Sequence, residues 1–145
     1  MDNDEIIYSG IVLGMVDQIT FKRMFGDFSP AEFECPCKGP TCQVDGMNFN
    51  FLFALQELRR QFARPITINS GYRCAAYNAT LKDSVRNSTH ILGIACDIST
   101  HAMPSSYKHI LLERIFASRF TGVGIYKNFI HIDIRPASKR SMWVG

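Results

Sequence analysis

Two histidines and one aspartate have the residue types and spacing of a metal site. His90 and Asp97 lie in one short stretch, NSTHILGIACDIST (residues 87–100), and His131 lies in IYKNFIHIDIRP (125–136). Catalytic zinc commonly takes three protein ligands from His, Asp and Glu and keeps a fourth position for water. These three residues supply such a set. A single His near an Asp is more often a surface or capping pair, so the spacing alone leaves both interpretations open.

The elements around these residues are predicted to bring them together. GIACDIST alternates, with Cys96 and Ile98 on one face and Asp97 on the other, which predicts a strand. IYKNFIHIDIRP alternates in the same way, so His131 is expected on another strand and His90 in the loop before the first. A sheet that contains both strands can place Asp97 close to His131.

The other elements follow from helical periods, caps and turn residues. The first are a helical turn at residues 29–32 and an amphipathic helix at 47–63, which Pro65 stops. A strand at Ile66 and Ile68 and a loop-rich region at 73–89 follow. The last is a helix at 107–120, capped by Ser105 and Ser106. This order predicts an α+β fold, in which a small antiparallel sheet is flanked by helices.

Length and composition indicate one domain. Of the chain's 145 residues, 46% are hydrophobic, which is enough to form one core. Two domains would each be too small to bury a core of their own. We expect an N-terminal segment at residues 1–28 and a single domain at 29–145. The net charge of +3 comes from scattered Lys and Arg, which argues against a dedicated nucleic-acid surface.

The apolar runs and the chain start bear on location. No apolar run is long enough to span a bilayer, so we expect no membrane insertion. The start, MDNDEIIYSG, is acidic where a secretory signal would be basic. We therefore expect synthesis in the cytoplasm without a signal peptide.

Five cysteines give an odd count that predicts no complete disulfide framework. Cys35, Cys37 and Cys42 stand in CPCKGPTC, and Cys74 and Cys96 follow far along the chain. The first three could form a structural zinc site with Cys74 as the fourth ligand, although their spacing differs from the usual pattern. The alternative is a loop that carries reduced thiols.

Three ordered blocks resemble a known family. SGYR (70–73), STHILGIACD (88–97) and HID (131–133) are similar to the SGYR, SxHxxGxAxD and HxD blocks of the zinc D-Ala-D-Ala peptidases. That family includes D,D-carboxypeptidases and phage or bacterial cell-wall endopeptidases, and shares its fold with the hedgehog signalling domain. The resemblance covers roughly residues 28–143. It implies a hedgehog-like zinc peptidase domain with one Zn²⁺ per chain.

The resemblance also implies roles for individual residues. His90, Asp97 and His131 would be the zinc ligands. Arg73 matches the arginine that holds a substrate carboxylate or carbonyl, a role that suits a planar guanidinium. From residue type alone, Arg73 would be an ordinary surface arginine. Ser88 would either donate to the substrate or fix the loop of His90, and from residue type alone it would be a plain turn or cap serine.

The general base is where the chain departs from part of the family. Several relatives carry Glu or Asp three positions before the last histidine ligand, where this chain has Asn128, which cannot accept a proton near neutral pH. Asp133 follows His131 on the same strand face, so it can either accept the proton of the attacking water or orient a metal ligand. We favour the base, because Asn128 leaves that proton without an acceptor.

The implied reaction is hydrolysis of a peptide bond next to a D-amino acid in peptidoglycan stem peptides, by a carboxypeptidase or an endopeptidase. A small phage or prophage lysis enzyme that acts on the cell wall fits this pattern. A Cys/His hydrolase using Cys74 or Cys96 would leave Asp97 and Asp133 unexplained. The main alternative is a non-catalytic, zinc-containing binding module on the same fold.

Overall fold

The computed structural model describes residues 18–37, 42, 46–82 and 84–145. Its elements, in chain order, are α1 (Gln18–Met24), a 3₁₀ helix (Pro30–Phe33), α2 (Phe49–Phe62), β1 (Ile68–Ser70), α3 (Ala75–Thr80), β2 (Ala95–Ser99), α4 (Ser105–Ala117), β3 (Gly122–Ile125), β4 (Phe129–Asp133) and β5 (Ser141–Val144). No helix in these ranges is long and apolar enough to cross a membrane. The N-terminal segment predicted at 1–28 lies largely outside the described residues, and its boundary stays a prediction.

The five strands form one sheet in the order β1-β2-β4-β3-β5. The fold is therefore α+β, as predicted. The first four strands pair antiparallel, but β5 runs parallel to β3. The prediction of a purely antiparallel sheet is wrong at this edge. Residues 134–140 reverse the chain after β4, so β5 runs opposite to β4 and therefore in the direction of β3.

The two central strands separate an apolar face from a polar face. On β2 and β4 the side chains of Cys96, Ile98, Ile130 and Ile132 are fully buried in the hydrophobic core. The alternate residues, which include Asp97, project from the opposite face. The predicted alternation is confirmed in both strands. Because the apolar face is packed, the pairing of β2 with β4 cannot shift by one residue without moving the charged side chains into the hydrophobic core.

Helix α2 supplies the largest part of the core and also fixes the loop of the polar face. It begins at Asn48, whose side chain accepts from the backbone N–H of Phe51 at 3.1 Å, and it ends at Ala63, so the predicted helix is confirmed. The Asn48 N–H donates to the carbonyl of Gly93 at 2.8 Å. Gly93 has φ of 70°, and a Cβ there would collide with the backbone of Gly46. Only glycine fits where the helix start meets this loop.

The remaining expectations are partly confirmed. The helical turn predicted at residues 29–32 is the 3₁₀ helix, in which Glu32 accepts from the Ser29 N–H at 2.7 Å. The prediction of a loop-rich region at 73–89 missed α3. This helix has only 6 residues, too few to show a helical period in the sequence. Ser105 and Ser106 begin α4 and do not cap it, because Pro104 occupies the N-cap position.

Candidate metal centre

One row of residues crosses the polar face of the sheet. Asp97 on β2 pairs directly with His131 on β4, and Gly124 on β3 and Trp143 on β5 continue the row. A Cβ on Gly124 would meet the indole of Trp143, so the missing side chain leaves room for that ring. The Trp143 ring lies 5.4 Å from the His131 ring, centroid to centroid.

His90 reaches this row from the loop before β2. Its backbone N–H donates to Ser88 Oγ at 3.2 Å, and its carbonyl accepts from the Arg73 N–H at 3.2 Å. Its ring Nδ1 lies 2.7 Å from the carbonyl oxygen of Gly71. These contacts hold a side chain that is only 3% exposed. Of the two roles left open for Ser88, the contact supports the one in which Ser88 fixes the His90 loop.

The three predicted ligands converge on one oxygen atom. His90 Nε2 lies 3.2 Å from Asp97 Oδ1, and His131 Nδ1 lies 3.0 Å from the same oxygen. The candidate ligand atoms of the three residues all lie within 4.8 Å of one another, and all three residues are buried. The structure thus brings together the residues that the sequence proposed, although ligation itself stays a prediction.

Hydrogen bonding on the far side of each ring shows that these atoms suit a cation. The Gly71 carbonyl can only accept, so we assign the proton of His90 to Nδ1, which leaves Nε2 with a lone pair. His131 Nε2 lies 2.8 Å from Asp133 Oδ2, which places a proton on Nε2 and leaves Nδ1 with a lone pair. Two ring nitrogens and one carboxylate oxygen that face one another as acceptors fit a zinc ion.

The charged groups of the centre also favour a bound cation. Burial raises the pKa of Asp97, but hydrogen bonds from His131 and His90, which form when a proton and not a cation occupies the facing ring nitrogens, outweigh burial and lower the pKa overall. Burial lowers the pKa of His131, yet hydrogen bonds to Asp133 and Asp97 raise it overall. The two carboxylates therefore favour positive charge at the His131 ring, although each is also paired with an arginine, Asp97 with Arg73 and Asp133 with Arg135.

Arg73 is bound into the centre and is not an ordinary surface arginine. Only 16% of its side chain is exposed, and its Nη2 lies 3.1 Å from Asp97 Oδ2. Its Nε donates to Ser70 Oγ at 3.0 Å, and its Nη1 to Asn78 Oδ1 at 3.4 Å. These contacts use three of the five N–H groups of a guanidinium. They fix the second oxygen of the ligand Asp97 and hold Arg73 beside the centre.

Asp133 lies behind His131, away from the converging ligand atoms. Its side chain is fully buried, and its Oδ2 faces His131 Nε2 at 2.8 Å and Arg135 Nη2 at 2.6 Å. Its Oδ1 accepts from Arg135 Nε at 2.9 Å. Burial raises the pKa of Asp133, but hydrogen bonds with His131 and Arg135 outweigh it, so the pKa is lowered overall. The general-base role that the sequence favoured stays a prediction, and these contacts support the alternative, in which Asp133 orients His131.

Gly122 makes room for Asp133, and its replacement by alanine should destabilise the protein. Gly122 pairs with Asp133 across β3 and β4, and an added Cβ would run into the carboxylate. We expect the free energy of unfolding to fall by about 1–3 kcal/mol, the usual result of overpacking. Chemical denaturation measures the change. Gly26→Ala is the control, since its nearest contact would be at 3.3 Å, and an equal loss in both variants would contradict the steric argument.

The centre forms the floor of a cleft of about 540 Å³. The lining includes the three predicted ligands, Arg73, Ser88, Tyr126, Phe129, Arg135 and Trp143. Among the described residues that line it, only Asp97 carries a carboxylate. The three predicted ligands therefore line a cleft that has room for a bound molecule.

Several residues of this cleft were missed by the sequence analysis. Arg135 continues the alternation of His131 and Asp133 on one strand face, so the pattern in IHIDIR contained the signal. Its guanidinium lies 5.1 Å from the Trp143 ring centroid, and Tyr126 accepts from Trp143 Nε1 at 2.8 Å. No periodic pattern marked Trp143, because β5 has only 4 residues.

The cysteines do not supply a nucleophile at this centre. Cys96 is fully buried on the apolar face of the sheet, and burial raises the pKa of its thiol. Cys74 is buried at the start of α3, where its Sγ accepts from the Tyr77 N–H at 3.4 Å. With Cys35, Cys37 and Cys42, it forms a second group of potential metal ligands.

The chain matches a known protein family. A family model described as Peptidase M15 matches residues 26–133. The matched segment contains Arg73, the three predicted ligands and Asp133, and it ends before Arg135 and β5. No curated protein matches the chain.

Proposed function

The chain belongs to the peptidase M15 family of zinc-dependent metallopeptidases, and we propose on this basis that it hydrolyses peptide bonds next to D-amino acids in peptidoglycan. Its partners are peptidoglycan stem peptides, and its place of action is the cell wall, where a phage or prophage product would act. The five-stranded sheet with its helices is consistent with the hedgehog-like arrangement that the resemblance implies.

The open cleft above three converging ligands is the observation that carries this proposal. Structural zinc sites are closed by four protein ligands, whereas catalytic sites keep a position for water or substrate. Here His90, Asp97 and His131 supply three ligand atoms at the floor of a cleft of about 540 Å³. A zinc ion bound there would polarise the scissile carbonyl and lower the pKa of the attacking water.

The protein's own residues would orient the substrate and the ligands. Arg73 holds Asp97 through Oδ2 and keeps N–H groups beyond its three contacts, with which it would bind a substrate carboxylate or carbonyl. Asp133 would hold the His131 ring through Nε2, since its carboxylate is buried beneath that ring and paired with Arg135. We thus propose orientation of His131 as the role of Asp133.

Mass spectrometry of purified peptidoglycan after digestion tests the proposed function. Loss of one terminal D-alanine per stem peptide would identify a carboxypeptidase, and cleavage of cross-linked dimers would identify an endopeptidase. The His90→Ala protein is the inactive control. A zinc-loaded wild-type protein that leaves every fragment unchanged would instead support the non-catalytic binding module.

Replacement of Arg73 by lysine should reduce activity far more than stability. Lysine can pair with Asp97, but it cannot also reach Ser70 and Asn78 with a planar fork. We expect kcat/KM to fall by about 100-fold, the size seen when one transition-state donor is lost. The loss of two hydrogen bonds should lower the free energy of unfolding by only about 1–2 kcal/mol.

Kinetics on a stem-peptide substrate and chemical denaturation give the two values. Arg119→Lys is the matched control, because Arg119 is exposed and lies outside the cleft lining. Wild-type kinetics in Arg73→Lys would leave Arg73 without a role in substrate binding.

A further inference from the structure

Four of the five cysteines converge at one place, away from the catalytic cleft. The sulfur atoms of Cys35, Cys37, Cys42 and Cys74 all lie within 4.8 Å of one another. Cys37 Sγ is 3.5 Å from Cys35 Sγ and 3.7 Å from Cys74 Sγ. A disulfide bond is about 2.05 Å long, so these pairs are in contact without being bonded.

The separations match those around a tetrahedral zinc ion. With Zn–S bonds of about 2.3 Å, the sulfurs of a tetrahedral site lie about 3.8 Å apart. The Sγ–Sγ distances from Cys37 to Cys35 and to Cys74, 3.5 and 3.7 Å, are close to that edge length. We propose that Cys35, Cys37, Cys42 and Cys74 bind a second, structural zinc ion. This proposal does not rest on the peptidase activity.

Backbone N–H groups already support two of the sulfurs. The Cys74 N–H donates to Cys35 Sγ at 3.3 Å, and the Tyr77 N–H donates to Cys74 Sγ at 3.4 Å. Such bonds stabilise thiolates and orient metal ligands. They matter because four thiolates around Zn²⁺ leave a net charge of about −2, which burial would otherwise disfavour. Binding displaces four thiol protons into solvent.

The location indicates what this zinc would stabilise. Its ligands come from the segment after the 3₁₀ helix and from the residue that follows Arg73. Just before these ligands in the chain, the end of the 3₁₀ helix contacts the residues before Arg73, since the Phe33 carbonyl accepts from the Tyr72 N–H at 3.0 Å. A Cβ on Gly71 would lie 2.7 Å from Phe33 Cα, so the backbones are in close contact. The zinc would therefore stabilise the turn that positions Arg73, because it would link this turn to the segment that follows the 3₁₀ helix.

The unusual C-x-C-x₄-C spacing does not prevent a site of this kind. Sequence spacing restricts a zinc site when all ligands come from one or two short knuckles. Here Cys74 is contributed by a distant part of the chain, and the fold brings it within 3.7 Å of Cys37 Sγ. The one zinc per chain expected from the family resemblance becomes two.

Elemental analysis of the full chain, loaded with zinc alone under reducing conditions, tests this count. We expect two zinc ions per chain in the wild-type protein, and one each in Cys42→Ser and in His90→Ala. Cys96→Ala is the matched control, since Cys96 lies outside the cluster, and it should retain two. One zinc per chain in the wild type, unchanged by Cys42→Ser, would overturn the proposal.

A spectroscopic measurement on the wild-type protein covers the case in which the serine variant fails to fold. Replacement of zinc by Co²⁺ should give an intense near-ultraviolet band from thiolate-to-cobalt charge transfer, and Cys96→Ala should keep it. A protein loaded with two Co²⁺ but lacking that band would refute the thiolate site. Mass spectrometry after alkylation would detect a disulfide among the four cysteines of the freshly purified protein, which would equally overturn it.

Discussion

Alanine in place of His90 should remove one zinc ion from the protein and abolish peptide hydrolysis. The side chain is buried, and its Nε2 is directed at Asp97 Oδ1 by the bond from Nδ1 to the Gly71 carbonyl. Without it, only two of the three protein ligands remain. Metal catalysis is worth several kcal/mol of transition-state stabilisation, so we expect activity to fall by about 1,000-fold or more.

Zinc content by elemental analysis and the rate of stem-peptide cleavage measure the two effects together. His109→Ala is the matched control, because His109 is 75% exposed on α4 and pairs only with Glu113 among the ion pairs of the described residues. The control should keep both zinc and activity. A His90→Ala protein that retains its zinc and its activity would show that the centre is not the zinc site.

The strands that carry the centre were predictable because polar and apolar residues alternate in both. GIACDIST and FIHID each place one side chain of the centre between apolar neighbours, and burial of the apolar face then fixes the register. The direct pairing of Asp97 with His131 follows from that register. Sequence order alone did not give the ring orientations, which depend on the Gly71 carbonyl and on Asp133.

The strands at the far edge of the sheet, β3 and β5, show no alternation of polar and apolar residues that would have predicted them. Gly122 and Gly124 have no side chains with which to alternate, so the sequence predicted no strand at β3. Their role becomes visible only when the positions of Asp133 and Trp143 are known, since each glycine leaves room for one of these side chains. The cysteine cluster was one of two alternatives left open by the sequence, because spacing alone could not show that the fold brings Cys74 to Cys35, Cys37 and Cys42.

Asparagine in place of Asp133 should weaken zinc binding and destabilise the protein. The buried carboxylate accepts from His131 Nε2 on one side and from Arg135 on the other. An amide has one oxygen, so its NH₂ group would face either a ring N–H or the guanidinium. Arg135 would also lose its ionic partner. We expect zinc affinity to fall by about 10–100-fold, and the free energy of unfolding by about 3 kcal/mol.

The two roles of Asp133 predict different behaviour when zinc is restored. If Asp133 orients His131, excess zinc should return much of the activity to Asp133→Asn, because the ligand is displaced but not lost. If Asp133 is the general base, the zinc-loaded variant should keep only a low residual rate, and the pH–rate profile of that residual activity should lack the acidic limb. Zinc titration with activity measured at each point separates these outcomes. Asp27→Asn is the control, since Asp27 also lies near an arginine, Arg59 at 3.6 Å, but away from the cleft. We expect rescue by zinc, because the carboxylate contacts the His131 ring at Nε2 and is also paired with Arg135.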